Sequence, residues 1–193
     1  MTSPNLPSTL ESFRDYLRLL ARMHIDPRLR KDCDASDVVQ AVMLKAHQGE
    51  VDFRGETAEQ MGAWLRQILA NTLSDMLRDR LRARRDVRRE KNMELALNQS
   101  SHRLAECAAG SGPTPSVVLQ TKENVLRLAS AVARLPEPQQ EAVTLKHLQG
   151  LPLLEVANLM ERSPASVASL LRRGLASLRE ILSENLSHKE SQL

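Results

Sequence analysis

Apolar residues recur along this chain at three- and four-residue intervals, the period of an amphipathic helix. Leu10, Phe13, Leu17 and Leu20, with Tyr16 beside them, predict a first helix that Thr9 can cap. A charged stretch from Ile25 to Asp34, with Pro27 inside it, interrupts the pattern. It resumes from about Ala35 to His47, where Val38, Val39, Val42, Met43 and Ala46 form one face. Gly49 to Gly55 reads as a loop. Thr57 and Gln60 then have the spacing of a capping box, in which each side chain pairs with the other residue's backbone N–H. A long helical stretch follows to about Leu97, interrupted near Asn71. Its buried stripe is Met61, Leu65, Ile68, Leu69, Leu73, Met76, Leu77 and Leu81.

Residues 98–116 break the periodicity. Ser, Ala, Gly, Pro and Thr dominate there, and such a composition buries little surface, so a flexible linker is expected. Beyond it four helices are expected, over about Val117–Arg134, Gln139–Leu148, Leu153–Met160 and Pro164–Leu182. Leu135-Pro136-Glu137-Pro138 and Gly150 separate the first three. The fold class is therefore all-α: two small helical domains, 1–97 and 117–193, joined by a linker over 98–116.

Composition supports this reading. Aromatics make up 2% of the 193 residues, and strands draw heavily on them. No run of apolar residues is long enough to span a membrane, and Met1 to Leu10 lacks the pattern of a secretion signal. Cys33 and Cys107 stand apart without metal spacing, and His24, His47, His102, His147 and His188 are scattered. No nucleophile motif or phosphate loop occurs, so neither a metal, a cofactor nor an enzyme is expected, and a reducing cytoplasm is the plain setting.

Net charge is +3, but its placement is uneven. Arg78 to Lys91 holds eight Lys/Arg against three acids, which leaves the rest of the chain at −2. Arg78, Arg82, Arg85 and Arg89 fall on one helical face. Such a face can neutralise several phosphates; it can equally be a solvated helix surface softened by Asp79, Asp86 and Glu90. Just upstream, Trp64 can stack on an unpaired base or fill the core, and Asn71 can read a base edge.

The sharpest local pattern is Gly150 to Arg179, two short helices about three residues apart, the grammar of a helix-turn-helix. Val156, Ala157 and Met160 face inward on its first helix, and Val167, Leu170 and Leu171 on its second. Ser163 is a suitable N-cap, and Pro164 fits the first turn. Ala165, Ser166, Ser169, Arg172 and Arg173 then face outward, where short side chains let the backbone approach bases and arginines reach phosphates or guanine. A plain helical hairpin with a solvated Ser/Arg face has the same spacing. The turn itself holds Glu161 where glycine is usual, at a cost of roughly 1 kcal/mol if its φ is positive.

Three segments in order resemble the extracytoplasmic-function (ECF) sigma factors of the sigma-70 family. Residues 34–46, DASDVVQAVMLKA, look like the family's polymerase-binding helix, with Asp37 and Gln40 on its D-x-x-Q-E core and Ala41 and Met43 departing from it. Residues 64–78, WLRQILANTLSDMLR, resemble the promoter-melting and −10 segment, with Trp64, Asn71, Asp75 and Arg78 on its characteristic positions. Residues 135–179 resemble the −35 domain, with Ala168 and Leu170 where Lys and Arg are frequent. DPRLR, FRGET and RRDVRRE also look like ECF members abundant in planctomycete-type bacteria.

The resemblance implies a transcription-initiation specificity factor. Asp37, Val38, Gln40, Ala41 and Leu44 would bind core RNA polymerase at the clamp helices of its β′ subunit. Trp64, Asn71, Asp75, Arg78, Arg82 and Arg85 would contact the −10 element of promoter DNA. Ser163, Ala165, Ser166, Ser169, Arg172 and Arg173 would contact the −35 element, with the same domain touching the β flap. An anti-sigma factor is a further partner of many members, and no membrane is implied. Two other readings stay open at this point: a helix-turn-helix regulator that acts without polymerase, and a helical interaction protein.

Overall fold

A computed structural model describes residues 10–25, 34–49, 53–81, 87–109 and 117–190. Among these residues every regular element is helical: a 3-10 turn at Leu10–Phe13, then α1 Arg14–His24, α2 Ala35–Gly49, α3 Ala58–Leu81, α4 Val87–Ala109, α5 Val117–Ala133, α6 Glu137–Val143, α7 Leu153–Leu159 and α8 Pro164–Glu190. The all-α expectation holds. None of these helices is long and apolar enough to cross a membrane. The chain divides into two compact units, Met1–His102 and Arg103–Leu193.

In the first unit α1, α2 and α3 pack on one another. Their apolar stripes meet in a core that includes Leu17, Leu20, Val38, Val39, Val42, Leu65, Leu69 and Leu73, all essentially without solvent contact. The ends of these helices are set by local chemistry. Asp34 caps α2: its carboxylate accepts from the Ser36 N–H at 3.0 Å and its carbonyl from the Val38 N–H. The capping box before α3 forms as its spacing implies, with Gln60 N–H donating to Thr57 Oγ1 at 3.2 Å and Thr57 N–H donating to Gln60 Oε1 at 3.1 Å.

Two expectations are corrected here. Helix α3 runs unbroken through Asn71 to Leu81. Asparagine is a mediocre helix former, but the deficit is a few tenths of a kcal/mol at an exposed site, and burial of Leu69, Ala70, Thr72 and Leu73 around it outweighs that. Residues 98–109, expected to open the linker, instead form the second half of α4. The reason is a stripe at helical spacing that sequence polarity hides: Leu97, Ser100 and Leu104 are buried, with Ser101 beside them half-buried. Only 110–116 of the expected linker falls between helices, and it lies outside the described residues.

The second unit is built around α8, against which α5, α6 and α7 pack. Ala142, Leu145, Val156, Ala157, Val167 and Leu170 are its buried core, with Leu151, Leu153, Leu159, Met160 and Leu171 packed around them. Gln140, buried at the base of α6, donates from Nε2 to the Val132 carbonyl and so ties α6 to the end of α5. The helix continues past α6 as one wide turn, Thr144–Leu148, in which the Gln149 N–H reaches back five residues to the Thr144 carbonyl. Gly150 at φ 77° then turns the chain out of it.

Close approach of α6 and α8 depends on Gly174. A Cβ there would sit 3.0 Å from Val143 Cγ2 and 3.4 Å from Gln139 Cβ. A branched side chain cannot be admitted without separating the helices. Gly174→Val is therefore expected to cost the second unit roughly 2–3 kcal/mol, measurable as an earlier unfolding midpoint at unchanged denaturant slope.

Candidate nucleic-acid interface

Helix α2 presents Asp37, Gln40, Ala41 and Leu44 along one outer edge, at the i, i+3, i+4, i+7 spacing of a single face. Asp37 and Gln40 are exposed, Ala41 is half-buried, and Leu44 is 60% exposed, an unusual position for a leucine. Val38 does not belong with them. It is wholly buried with Val39 and Val42, so it supports this face from behind. The resemblance placed it beside Asp37 in the polymerase-binding set, but adjacent residues on a helix point about 100° apart.

Trp64, Asn71, Asp75 and Arg78 share one stripe of α3, opposite to the stripe carrying Leu65, Leu69 and Leu73. Asn71 is exposed. Trp64 takes an intermediate position between the two roles open to it from sequence. Phe53 stacks on it at 4.9 Å between ring centroids, inclined by 30°, and Gly49 lies close to the indole edge. A side chain on Gly49 would meet Trp64 Cζ2 at 3.2 Å. The indole thus pins the loop after α2 to the start of α3 while staying half-exposed.

Asp75 acts as a bridge. Its carboxylate lies 3.0 Å from Arg78 Nη2 and 3.9 Å from Lys45 Nζ, and that ammonium also donates to Thr72 Oγ1 at 3.1 Å. Such half-exposed pairs contribute little to stability. Their effect is positional: they hold two cations beside Asn71 and cross-link α2 to α3. Lys45 and Thr72 were not legible as part of this cluster, because their separation of 27 residues closes only when the two helices pack. Arg82 and Arg85, expected on the same basic surface, lie outside the described residues.

In the second unit α7 and α8 form the expected helix-turn-helix. Val156, Ala157, Val167 and Leu170 are buried, and Met160 and Leu171 pack on them. Ser163 Oγ accepts from the Ser166 N–H at 3.2 Å, which makes it the N-cap of α8. Glu161 adopts φ 52°, the left-handed conformation the turn requires, and among the described residues it is the one non-glycine to do so. Ala165, Arg172 and Arg173 are exposed, while Ser166 and Ser169 are half-buried on the same outer side. Leu170 faces the core, so its being apolar removes nothing from the outer face; Ala168 is exposed. No group of His, Cys, Asp or Glu among the described residues is arranged to hold a metal.

Each of the two units is matched by a family model. The model of sigma-70 region 2 covers residues 11–83, and that of sigma-70 region 4 covers residues 126–178. Among known proteins the chain is similar to the ECF RNA polymerase sigma factor BldN of Streptomyces coelicolor, 26% identical over 153 residues, and spans about half of it (78% of this chain, 52% of BldN). It is 28% identical to the ECF RNA polymerase sigma factor SigM of Mycobacterium tuberculosis over 88% of this chain and 74% of SigM. The ECF RNA polymerase sigma-E factor of Escherichia coli is 29% identical over 72% of this chain and 69% of that protein. With both regions matched in order and together covering most of its length, the chain belongs to the sigma-70 family of RNA polymerase sigma factors and to its ECF group.

Proposed function

We propose that this protein recruits core RNA polymerase to promoter DNA and takes part in opening it. The observation that carries the reading is the separation of faces within the first unit. An outer edge of α2 with an exposed leucine flanked by Asp37 and Gln40 suits a protein partner. The polar stripe of α3, with exposed Asn71 and the Asp75-held cations, suits a nucleic acid. Both faces on one small domain are what a factor bridging polymerase and DNA requires.

In this mechanism Asp37, Gln40, Ala41 and Leu44 dock on the β′ clamp helices. Asn71 hydrogen-bonds a base of the −10 element once it leaves the stack. Arg78 and Lys45 exchange their bonds with Asp75 for phosphate contacts, with Arg82 and Arg85 continuing that basic surface along the duplex. Trp64, backed by Phe53, keeps one face for stacking while it fixes the loop. Ser163, Ala165, Ser166, Ser169, Arg172 and Arg173 meet the −35 element, where the small residues admit the helix start to the groove and the two arginines bind phosphate or guanine. The same unit would touch the β flap, and an anti-sigma partner would act by covering one of these faces. A regulator working without polymerase accounts for α7 and α8 but leaves the α2 face unused. The setting that fits this role is the cytoplasm.

The direct test is retention of the protein by purified bacterial core polymerase, followed by transcription from a genomic fragment library. Binding with new, specific start sites is expected. Palindromic DNA affinity without polymerase binding would replace the reading with that of an ordinary regulator. Asp37→Ala combined with Gln40→Ala should weaken polymerase binding by about tenfold, roughly 1.4 kcal/mol, with helicity unchanged in circular dichroism. Asn71→Ala should lower promoter opening, followed by permanganate reactivity, more than holoenzyme assembly; equal loss at both steps would make it structural. Arg172→Ala with Arg173→Ala should flatten the salt dependence of DNA binding by about two in log–log slope.

A further inference from the structure

The carboxylate of Asp75 stands among groups that fix its direction. Its Oδ1 is 3.0 Å from Arg78 Nη2, nearly one turn further along α3, and its Oδ2 faces Lys45 Nζ of α2 at 3.9 Å. Lys45 is held in turn by the hydroxyl of buried Thr72, to which it donates at 3.1 Å. The last torsion of an aspartate side chain is soft, with broad minima. Here each oxygen faces its own cation, one from the same helix and one from α2, so the carboxyl plane is set by its surroundings.

The bridge leaves acceptor capacity unused. A carboxylate offers about four lone-pair sites and no donor. Arg78 and Lys45 face two of them, and half of the side chain's surface is open to solvent. Exposed Asn71 lies one turn earlier on the same stripe. Side chains at that spacing stand ~6 Å apart at Cβ, whereas stacked bases follow one another at ~3.4 Å. Asn71 and Asp75 therefore address different bases. They also ask for different chemistry, since an amide both donates and accepts while a carboxylate only accepts.

Resting on the proposed function, we infer that Asp75 is a specificity-determining residue of the −10 contact. It selects a base that carries an exocyclic amino group, adenine or cytosine, over guanine or thymine. On the major-groove edge adenine N6 and cytosine N4 donate, whereas guanine O6 and thymine O4 are acceptors. When Arg78 and Lys45 turn to phosphates, the oxygens they leave need donors, and an amino group supplies one. A keto oxygen in the same place leaves the carboxylate unsatisfied and repels it. Selection thus works chiefly by exclusion, for which an acidic group facing a polyanion is suited.

The test uses the full chain assembled with core polymerase, on a promoter recovered from the library, with each −10 position changed to every base. At one position, close to but distinct from the one affected by Asn71→Ala, the wild type should favour adenine or cytosine by about tenfold in transcription. Asp75→Asn keeps the shape and adds a donor, and Asp75→Ala removes the acceptor. Each should reduce that preference to within about twofold and leave other positions as they are. Purine in place of adenine, or 2-pyrimidinone in place of cytosine, removes the amino group alone; this should cost the wild type about tenfold and Asp75→Asn nothing. Lys45→Ala, by contrast, should weaken transcription alike at every sequence. A uniform loss in Asp75→Asn with preferences intact would make Asp75 only a holder of its cations and overturn the inference, as would unchanged transcription. A wild type silent on every promoter removes the proposed function as well, whereas an active wild type with no amino–keto preference in this stretch removes this inference alone.

Discussion

Burial of one face of α2 between α1 and α3 is the constraint on which the rest of the first unit depends. Once Val38, Val39, Val42 and Ala46 are committed inward, helical geometry leaves Asp37, Gln40 and Leu44 outside, and no rotamer choice can reverse that. The same commitment brings Lys45 to the side of α3 where Thr72 and Asp75 lie. The outer edge of α2 and the polar stripe of α3, proposed to meet polymerase and DNA, are therefore not independent. Both are residues of a single packing decision, and a shift of α2 by one residue would disorganise each of them.

The second unit meets its constraint differently. Here α8 serves as a common spine, and the approach of α6 to it is as close as an absent side chain at Gly174 permits. The turn between α7 and α8 is held in the left-handed conformation by Glu161, which bears a steric cost that glycine would not. The turn survives because it lets Val156, Ala157, Val167 and Leu170 bury together. Tertiary packing here overrides local preference, and that preference is overridden by a margin small enough for a domain of this size to absorb.

Much of this architecture could be read from residue spacing. The capping box at Thr57 and Gln60, the Ser163 cap, the inward set of the helix-turn-helix and the positive φ at Glu161 each have a local cause that spans only a few positions. What escaped sequence reading has causes that are distant in the chain. Serine at 100 and 101 looks like linker composition until His24 and Tyr16 supply partners 76 and 85 residues away. Asn71 looks like a helix interruption until the burial of its neighbours is known. Val38 shares a motif with surface residues yet belongs to the core, because a motif is a string and a helix has sides. Phe53, in a loop that offered no periodicity, proved to stack on Trp64.

The placement of the aromatic residues also makes the two units optically distinct. The chain has one tryptophan, one tyrosine and two phenylalanines, at 64, 16, 13 and 53, and all four lie in the first unit. Phe13 and Tyr16 meet edge to face, while Phe53 stacks on the indole at the start of α3. Near-ultraviolet absorbance, fluorescence and aromatic dichroism consequently arise from one half of the molecule only. The helix-turn-helix half is spectroscopically dark. Emission from the indole follows the melting of one unit undisturbed by the other, and far-ultraviolet dichroism, which sees both, supplies the remainder by difference.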